Sequence, residues 1–322
     1  MRRVVGAVVL ALGTFLVVAA ILLPTYVASN LVKTPLDQYT VSVATSDNAT
    51  VFDVPSLSVK PNVPVEATRT VRADPEKSTD GVVVFDEFLV LEDSRNNSQI
   101  TFSSDRVGLD RRTAESQDGF DAAVDDQPTR HEGLVYKWPF NSEKKSYQYF
   151  DTTTRKAYEA KYVTTEKING LETYKYQMEI PATQIGELDV PGDLVGSTEP
   201  DVNAPRFYSN TRTVWVEPKT GIIIKGQEKQ NQTLRDASGA DKLTLFSATL
   251  TFDEQTVDEG VSLAKDTISQ INLVTIIAPI VVGVLGVILI VVGLFLALRR
   301  GGTDKSSFRP VKPTDTRTPV NS

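Results

Sequence analysis

The chain has 322 residues, 40% of them hydrophobic and 23% charged, with 34 Lys and Arg against 41 Asp and Glu, one His and no Cys. The lack of Cys excludes disulfides, thiolate zinc sites, iron–sulfur clusters and Cys nucleophiles, and a single His excludes a His-rich metal centre. The mean hydropathy of −0.16 resembles that of a soluble protein, but it averages two apolar ends with a polar, acidic middle.

The first element is apolar. Val4 to Val27 carries no charge and follows Arg2 and Arg3 directly. A helix needs about 20 apolar residues to cross the hydrocarbon core. The apolar region of a cleaved signal peptide is roughly 7–15 residues and ends at a small-residue site. This run is longer, and no clean A-x-A site follows, so an uncleaved anchor is expected over 4–27.

The middle, 28–272, reads mostly as β. Gly81–Asp93 is a strand candidate. Ser103–Gly133 is polar and rich in Asp, Arg and Gly, and reads as a loop. Next come eight aromatics from Tyr136 to Tyr162, a composition that favours strands. The strand holding Tyr158, Tyr162 and Ile168 leads to Asn169-Gly170, a strong hairpin signal because both turn positions want positive φ. Tyr174, Tyr176, Met178 and Ile180 then alternate with polar residues at period 2. Gln184–Asn210 is acidic and rich in Pro and Gly, and reads as a second long loop. Thr211–Val216 and Ile222–Lys225 flank a Pro218-Lys219-Thr220-Gly221 turn. Phe246, Ala248, Leu250 and Phe252 form another alternating strand.

Val257, Val261, Ala264, Ile268 and Ile271 are spaced as one stripe of a helix. That helix either packs on the sheet or serves as a strut leading into the next segment. Leu273 to Leu298 is uncharged, ends at Arg299 and Arg300, and is too uniformly apolar for a core helix. Pro279 predicts a kink near its start. Gly6 and Gly13 lie seven residues apart, as do Gly286 and Gly293, and each pair could let two helices pack closely. The tail 299–322 is short, rich in Pro, Ser, Thr and Lys, and expected to be disordered. The expected fold class is a mainly β periplasmic domain with few helices, flanked by two transmembrane α-helices. Its sheet is a curved antiparallel one, a sandwich or a barrel.

Arg2 and Arg3 at one end, and Arg299, Arg300, Lys305, Arg309, Lys312 and Arg317 at the other, predict that both termini are cytoplasmic. The stub 1–3 and the tail then lie inside, and 28–272 lies outside. The tails carry +6, so the chain's −7 leaves −13 on the middle. A domain that acidic is not expected to bind nucleic acid.

No G-x-S-x-G, P-loop or G-x-G-x-x-G occurs. Asp125-Asp126 lacks EF-hand spacing and reads as a solvated acidic loop, and His131 reads as a surface residue. No catalytic residue, metal site or cofactor is expected, and the protein is not expected to be an enzyme. The aromatic stretch either builds core or lines an apolar groove for lipid. Trp138, Phe140, Tyr147 and Tyr149 are the lipid-binding candidates if alternate strand positions face a groove.

The runs Gly133-Leu134-Val135-Tyr136-Lys137-Trp138-Pro139-Phe140, Glu143-Lys144-Lys145-Ser146-Tyr147 and Tyr149-Phe150-Asp151 carry a family resemblance. So do Leu109-Asp110-Arg111-Arg112-Thr113 upstream and Asn169-Gly170-Leu171-Glu172-Thr173-Tyr174 downstream. With the two terminal spans, the chain resembles an actinobacterial envelope family formerly labelled "porin PorA family" or a domain of unknown function. That family includes the mycobacterial polar growth factor PgfA and the corynebacterial lipoglycan protein LmcA. The resemblance implies an inner-membrane protein with a periplasmic domain, 28–272, that moves envelope lipids. The cargo would be trehalose monomycolate, beside an RND-class mycolate exporter, or a mannosylated precursor of lipomannan and lipoarabinomannan. It supplies no defined ligand residues. A lipid-binding or lipid-transfer module is therefore expected. The alternatives are a scaffold or regulator of an exporter or synthase that holds no lipid, and a channel component. The porin label fits the residues poorly, because two helices do not enclose a pore.

Overall fold

The computed structural model describes residues 2–27, 30 and 32–298. The expected disordered tail lies outside the described residues. The α-helices are α1 (Arg2–Leu22), α2 (Glu254–Asn272) and α3 (Ala278–Leu298). The chain divides into two compact units. One contains the chain up to Tyr26 and from Thr275 onward, and the other is Val27–Val274.

In the first unit, α1 and α3 are long and apolar enough to cross a membrane. The four glycines form the seam between them. A Cβ on Gly13 would lie 2.7 Å from the backbone N of Ile290, and one on Gly293 would lie 2.7 Å from that of Leu10. The backbones touch because no side chain separates them. Where Pro279 predicts a kink, the chain carries a π turn over Leu273–Ile277. The wider turn relieves the clash between the proline ring and the carbonyl four residues earlier.

The second unit is a single antiparallel sheet. Its strands are β1 (Tyr39–Asp53), β2 (Ser58–Ala73), β3 (Val82–Asp93), β4 (Ser98–Asp110), β5 (Ser116–Gln117), β6 (Ala123–Val124) and β7 (Gln127–Pro128). They continue with β8 (Tyr147–Asp151), β9 (Lys156–Ile168), β10 (Leu171–Pro191), β11 (Asp201–Glu217), β12 (Ile222–Arg235) and β13 (Asp241–Phe252). The order is β7-β6-β4-β3-β2-β1-β13-β12-β11-β10-β9-β8, with β5 on β4. Two meanders are thus joined where the first long strand pairs with the last, for example Ala44 with Phe252.

The sheet curls into a half-barrel, and side-chain contacts measure the curl. Arg69 on β2 lies 3.9 Å from Glu228 on β12, although β1 and β13 intervene. Strands three apart in a flat sheet would stand about 14 Å from each other. Arg212 on β11 likewise reaches Asp151 on β8 at 3.1 Å, across β9 and β10.

The second expected loop is largely strand, and the first is strand over its opening stretch, with three two-residue strands set in irregular chain after it. Ser103–Asp110 is the second half of β4, and Asp125 and Asp126 form the positive-φ turn between β6 and β7. Gln184–Pro191 and Asp201–Asn210 pair along a long β10–β11 hairpin, from Gln184 against Phe207 to Pro191 against Asp201. Gly186 sits at an irregularity in the ladder, while Gly192, Gly196 and Pro200 lie in the short connection between the two strands. The Asn169-Gly170 turn has φ of 44° and 85°, as expected. Asp253 caps α2, accepting from the Thr256 backbone N at 2.8 Å. The stripe on α2 packs against the sheet, with Val261 and Ala264 buried against Ile224. Asn169 ties the hairpin to that helix by donating to Asp258 at 2.7 Å.

Candidate functional site

Period 2 sends one set of side chains from each strand into the hollow: Ala67, Arg69 and Val71 from β2, Phe85, Glu87 and Leu89 from β3, and Gly226, Glu228 and Gln230 from β12. Helix α2 covers part of the opening. Between them run three adjoining cavities. The outer one, about 450 Å³, is bordered by Val32, Pro35, Phe140, Ile271 and Val274. The middle one, about 380 Å³, is bordered by Val71, Phe85, Tyr136, Tyr149 and Ile223. The inner one, about 60 Å³, is bordered by Ala67, Leu89, Val214 and Leu250. Gln38, Thr40, Lys137, Ile222 and Leu263 line both outer and middle cavities. Arg69, Tyr149, Ile223 and Phe252 line both middle and inner ones. The two larger volumes lie in the range of small-molecule sites.

Charge closes the inner end. Arg69 donates to Glu87 at 3.0 Å, and Arg212 donates to Glu228 at 2.9 Å and to Asp151 at 3.1 Å. With the Arg69–Glu228 contact, this chain of ions crosses the hollow from β3 to β8. Burial alone would raise Glu228, but Arg212 and Arg69 outweigh it and hold its carboxyl at about 2. Glu87 behaves oppositely. Burial pushes it up to about 7, and Arg69 only partly offsets that while Asp105 adds to it. Asp105 is itself buried, accepting from the Tyr136 hydroxyl and lying 2.8 Å from His131 Nε2.

The Glu87 shift has a measurable sign. A carboxyl raised from 4.5 to about 7 on folding binds a proton that the unfolded chain has released between those pH values. Its contribution is therefore full below pH 4.5 and is lost as pH rises through 7. Glu87→Gln removes this contribution. The stability of the wild type relative to this variant is expected to fall by roughly 3 kcal/mol between pH 4.5 and 8. Denaturant midpoints of the two proteins across that range check this, and parallel pH curves would contradict it.

Lys137 borders both larger cavities. Its ammonium donates to the carbonyls of Trp138, at 3.2 Å, and Thr220, and lies 3.8 Å above the Phe140 ring. Burial lowers its pKa to about 7, with Glu217 the opposing influence. Gly221 makes this approach possible. It has φ of +73°, and a Cβ there would lie 2.0 Å from the Trp138 carbonyl oxygen.

The four expected residues fall in different surroundings. Trp138 and Phe140 are not on strands but on the irregular segment between β7 and β8. Trp138 is 0% exposed, in a core cluster, stacked on Tyr149 at 4.9 Å and Tyr176 at 5.3 Å. Phe140 borders the outer cavity. Tyr149 borders the middle and inner ones. Tyr147 packs edge-on against Tyr176, and its hydroxyl accepts from the Glu143 backbone N at 2.9 Å. His131, expected at the surface, is instead buried, with Asp105 in place of water at Nε2 and the Phe150 ring tilted against it at 4.3 Å. Arg69, Glu87, Arg212 and Glu228 belong to no motif and are not singled out by the sequence. Parity offers a signal for two of them, since Arg69 shares its strand face with Ala67 and Val71, and Glu87 with Phe85 and Leu89.

The family model described as Porin PorA matches residues 5–295. The chain is similar to "Porin PorA" of Corynebacterium amycolatum, at 25% identity over 91% of this chain and 98% of that protein. It is also similar to "Porin PorA" of Corynebacterium resistens, at 23% identity over 93% of this chain and 98% of that one.

Proposed function

The chain belongs to the Porin PorA family, and we propose that within it this protein is a membrane-tethered, periplasmic lipid-binding and lipid-transfer protein of cell-envelope biogenesis. The run of adjoining cavities in the hollow of the sheet carries this reading. Hydrocarbon laid against Phe85, Ile222, Ile223 and Leu263 would leave water at about 0.8 kcal/mol per CH₂. In this reading α1 and α3 anchor the chain, and residues 1–3 and 299–322 are cytoplasmic. Its cargo is an envelope glycolipid, either trehalose monomycolate or a mannosylated lipid precursor, as the resemblance to PgfA and LmcA implies. The chain performs no catalysis, and an RND-class exporter or another inner-membrane envelope protein supplies direction. A pore is not required by this reading, because two helices do not enclose one.

Site-specific photo-crosslinking of the full chain in its own host tests the reading. A photoreactive amino acid at Ile223, between the middle and inner cavities, is expected to capture lipid. One at Val163, on β9 and 48% exposed, is expected to capture none. Equal or absent lipid adducts at both positions would sink the proposal in favour of a scaffold that holds no lipid.

Topology has its own check. A reporter active only in the cytoplasm is expected to work when fused after Ser322. Placed in the β12–β13 turn at Ser238-Gly239, it is expected to be silent. The reverse pattern would overturn the assigned orientation.

A further inference from the structure

Among the described lysines and arginines, two residues are buried to about nine-tenths: Arg212 at 8% exposure and Lys137 at 9%. Arg212 meets two carboxylates. Lys137 meets none: its ammonium has only the carbonyls of Trp138 and Thr220 and the face of Phe140. The acidic group that influences it, Glu217, is already engaged by the Thr220 backbone N at 2.8 Å, the Thr220 hydroxyl at 2.6 Å and the Lys219 backbone N at 3.1 Å. An ammonium has three N–H donors, so one has no hydrogen-bond acceptor among the described residues and meets only the Phe140 face. Burying a cation without a counter-charge is costly. A lysine that served only to pin the Thr220 turn could be replaced by any neutral donor without that cost. Its position is also specific, because Lys137 lines both the outer and the middle cavity. Apolar Ile222 and Leu263 share that throat with the uncharged polar Gln38 and Thr40.

We propose that Lys137 is the anchor of an anion-binding subsite at this throat, and that its ligand is the ionised head of an amphiphile, a carboxylate or a phosphate, whose hydrocarbon lies in the adjoining cavities. The inference rests on the lipid-binding reading of the same hollow and adds the charge of the head. An N⁺–H···O⁻ bond out of water is about twice as strong as a neutral one. An uncharged sugar ester such as trehalose monomycolate would leave Lys137 without a counter-ion, so the inference narrows the proposed cargo to one with an ionised head.

Three photoreactive probes of equal chain length test this on the full chain in membranes: hexadecanoic acid, hexadecyl phosphate and hexadecanol. Adducts are mapped to groove peptides by mass spectrometry. In the wild type the two acids are expected to label the groove on the order of tenfold more than the alcohol. Lys137→Met is expected to remove that preference while alcohol labelling persists, and Lys137→Arg to retain it. Alcohol labelling of the variant shows in the same sample that the groove is intact. Should Lys137→Met not accumulate, Lys137→Gln, which can still donate to the Thr220 carbonyl, carries the comparison. The acid that labels more strongly identifies the head as carboxylate or phosphate. Groove labelling that ignores charge, or an acid preference that survives Lys137→Met, overturns the subsite and leaves the lipid-binding reading standing. Loss of labelling on adding excess inorganic phosphate would show that the free ion is the ligand and overturn the amphiphile assignment. No groove label from any probe overturns both readings.

Discussion

Trp138→Ala is expected to lower stability by ~3–5 kcal/mol, the range for removing a large buried aromatic. Trp138 is wholly buried and stacks on both Tyr149 and Tyr176. Its backbone N also donates to the Gly221 carbonyl at 2.9 Å, so the segment holding it is tied to the β11–β12 turn. The indole N–H has no hydrogen-bond partner among the described residues. Trp138→Phe keeps most of the ring and removes that buried donor, so its cost is expected to be well below that of alanine. Phe140→Ala is the contrast. Phe140 borders the outer cavity and is only partly buried, so its loss is expected to alter captured lipid more than stability. Chemical denaturation of the three variants checks the order. A Trp138→Ala variant as stable as the wild type would place the residue outside the core.

The second large effect is at the ion chain. Arg212→Met is expected to cost ~3–5 kcal/mol, because it leaves the buried Asp151 carboxylate without its cation and the partly buried Glu228 with Arg69 alone. Asp151 is 0% exposed, and its other oxygen is already taken by Thr154, at 2.8 Å from the backbone N and 2.9 Å from the hydroxyl. Glu228, held at about 2 largely by Arg212 and Arg69, is expected to rise once one guanidinium is gone. Arg212→Met/Glu228→Met removes one stranded charge as well as the arginine, and is expected to recover part of the loss. Non-additivity of at least about 1 kcal/mol in a double-mutant cycle is the signature sought. Additive losses would mean that Arg212 and Glu228 do not share one electrostatic network.

Patterns that depend only on neighbours along the chain are legible in the residues themselves. The charge-free runs 4–27 and 273–298 appear as the two apolar helices, because length and composition alone set whether a helix can cross a hydrocarbon layer. Asn169-Gly170 forms its hairpin because positive φ at two consecutive positions is a local demand. The stripe Val257, Val261 and Ala264 lies against the sheet because 3.6 residues per turn places those side chains on one face. The alternation through Tyr176, Met178 and Ile180 reports burial for the same kind of reason. The long β10–β11 hairpin is not legible in this way, because Pro, Gly and acidic residues discourage a strand locally. There the cross-strand ladder outweighs them, with irregularities absorbing the misfit.

The sequence by itself determined that the chain is mainly β with two helices able to span a membrane, and that its aromatic segment matters to the interior. Only the tertiary structure decided which residues line the hollow. Pairing of β1 with β13 and the curl of the sheet bring Arg69 to Glu228 and Arg212 to Asp151, partners 159 and 61 positions apart in the chain. Trp138 became core and Lys137, its neighbour, a throat residue because the segment between β7 and β8 is irregular. No period of 2 or 3.6 applies there, and the side of each residue is set by the Gly221 turn packed against it.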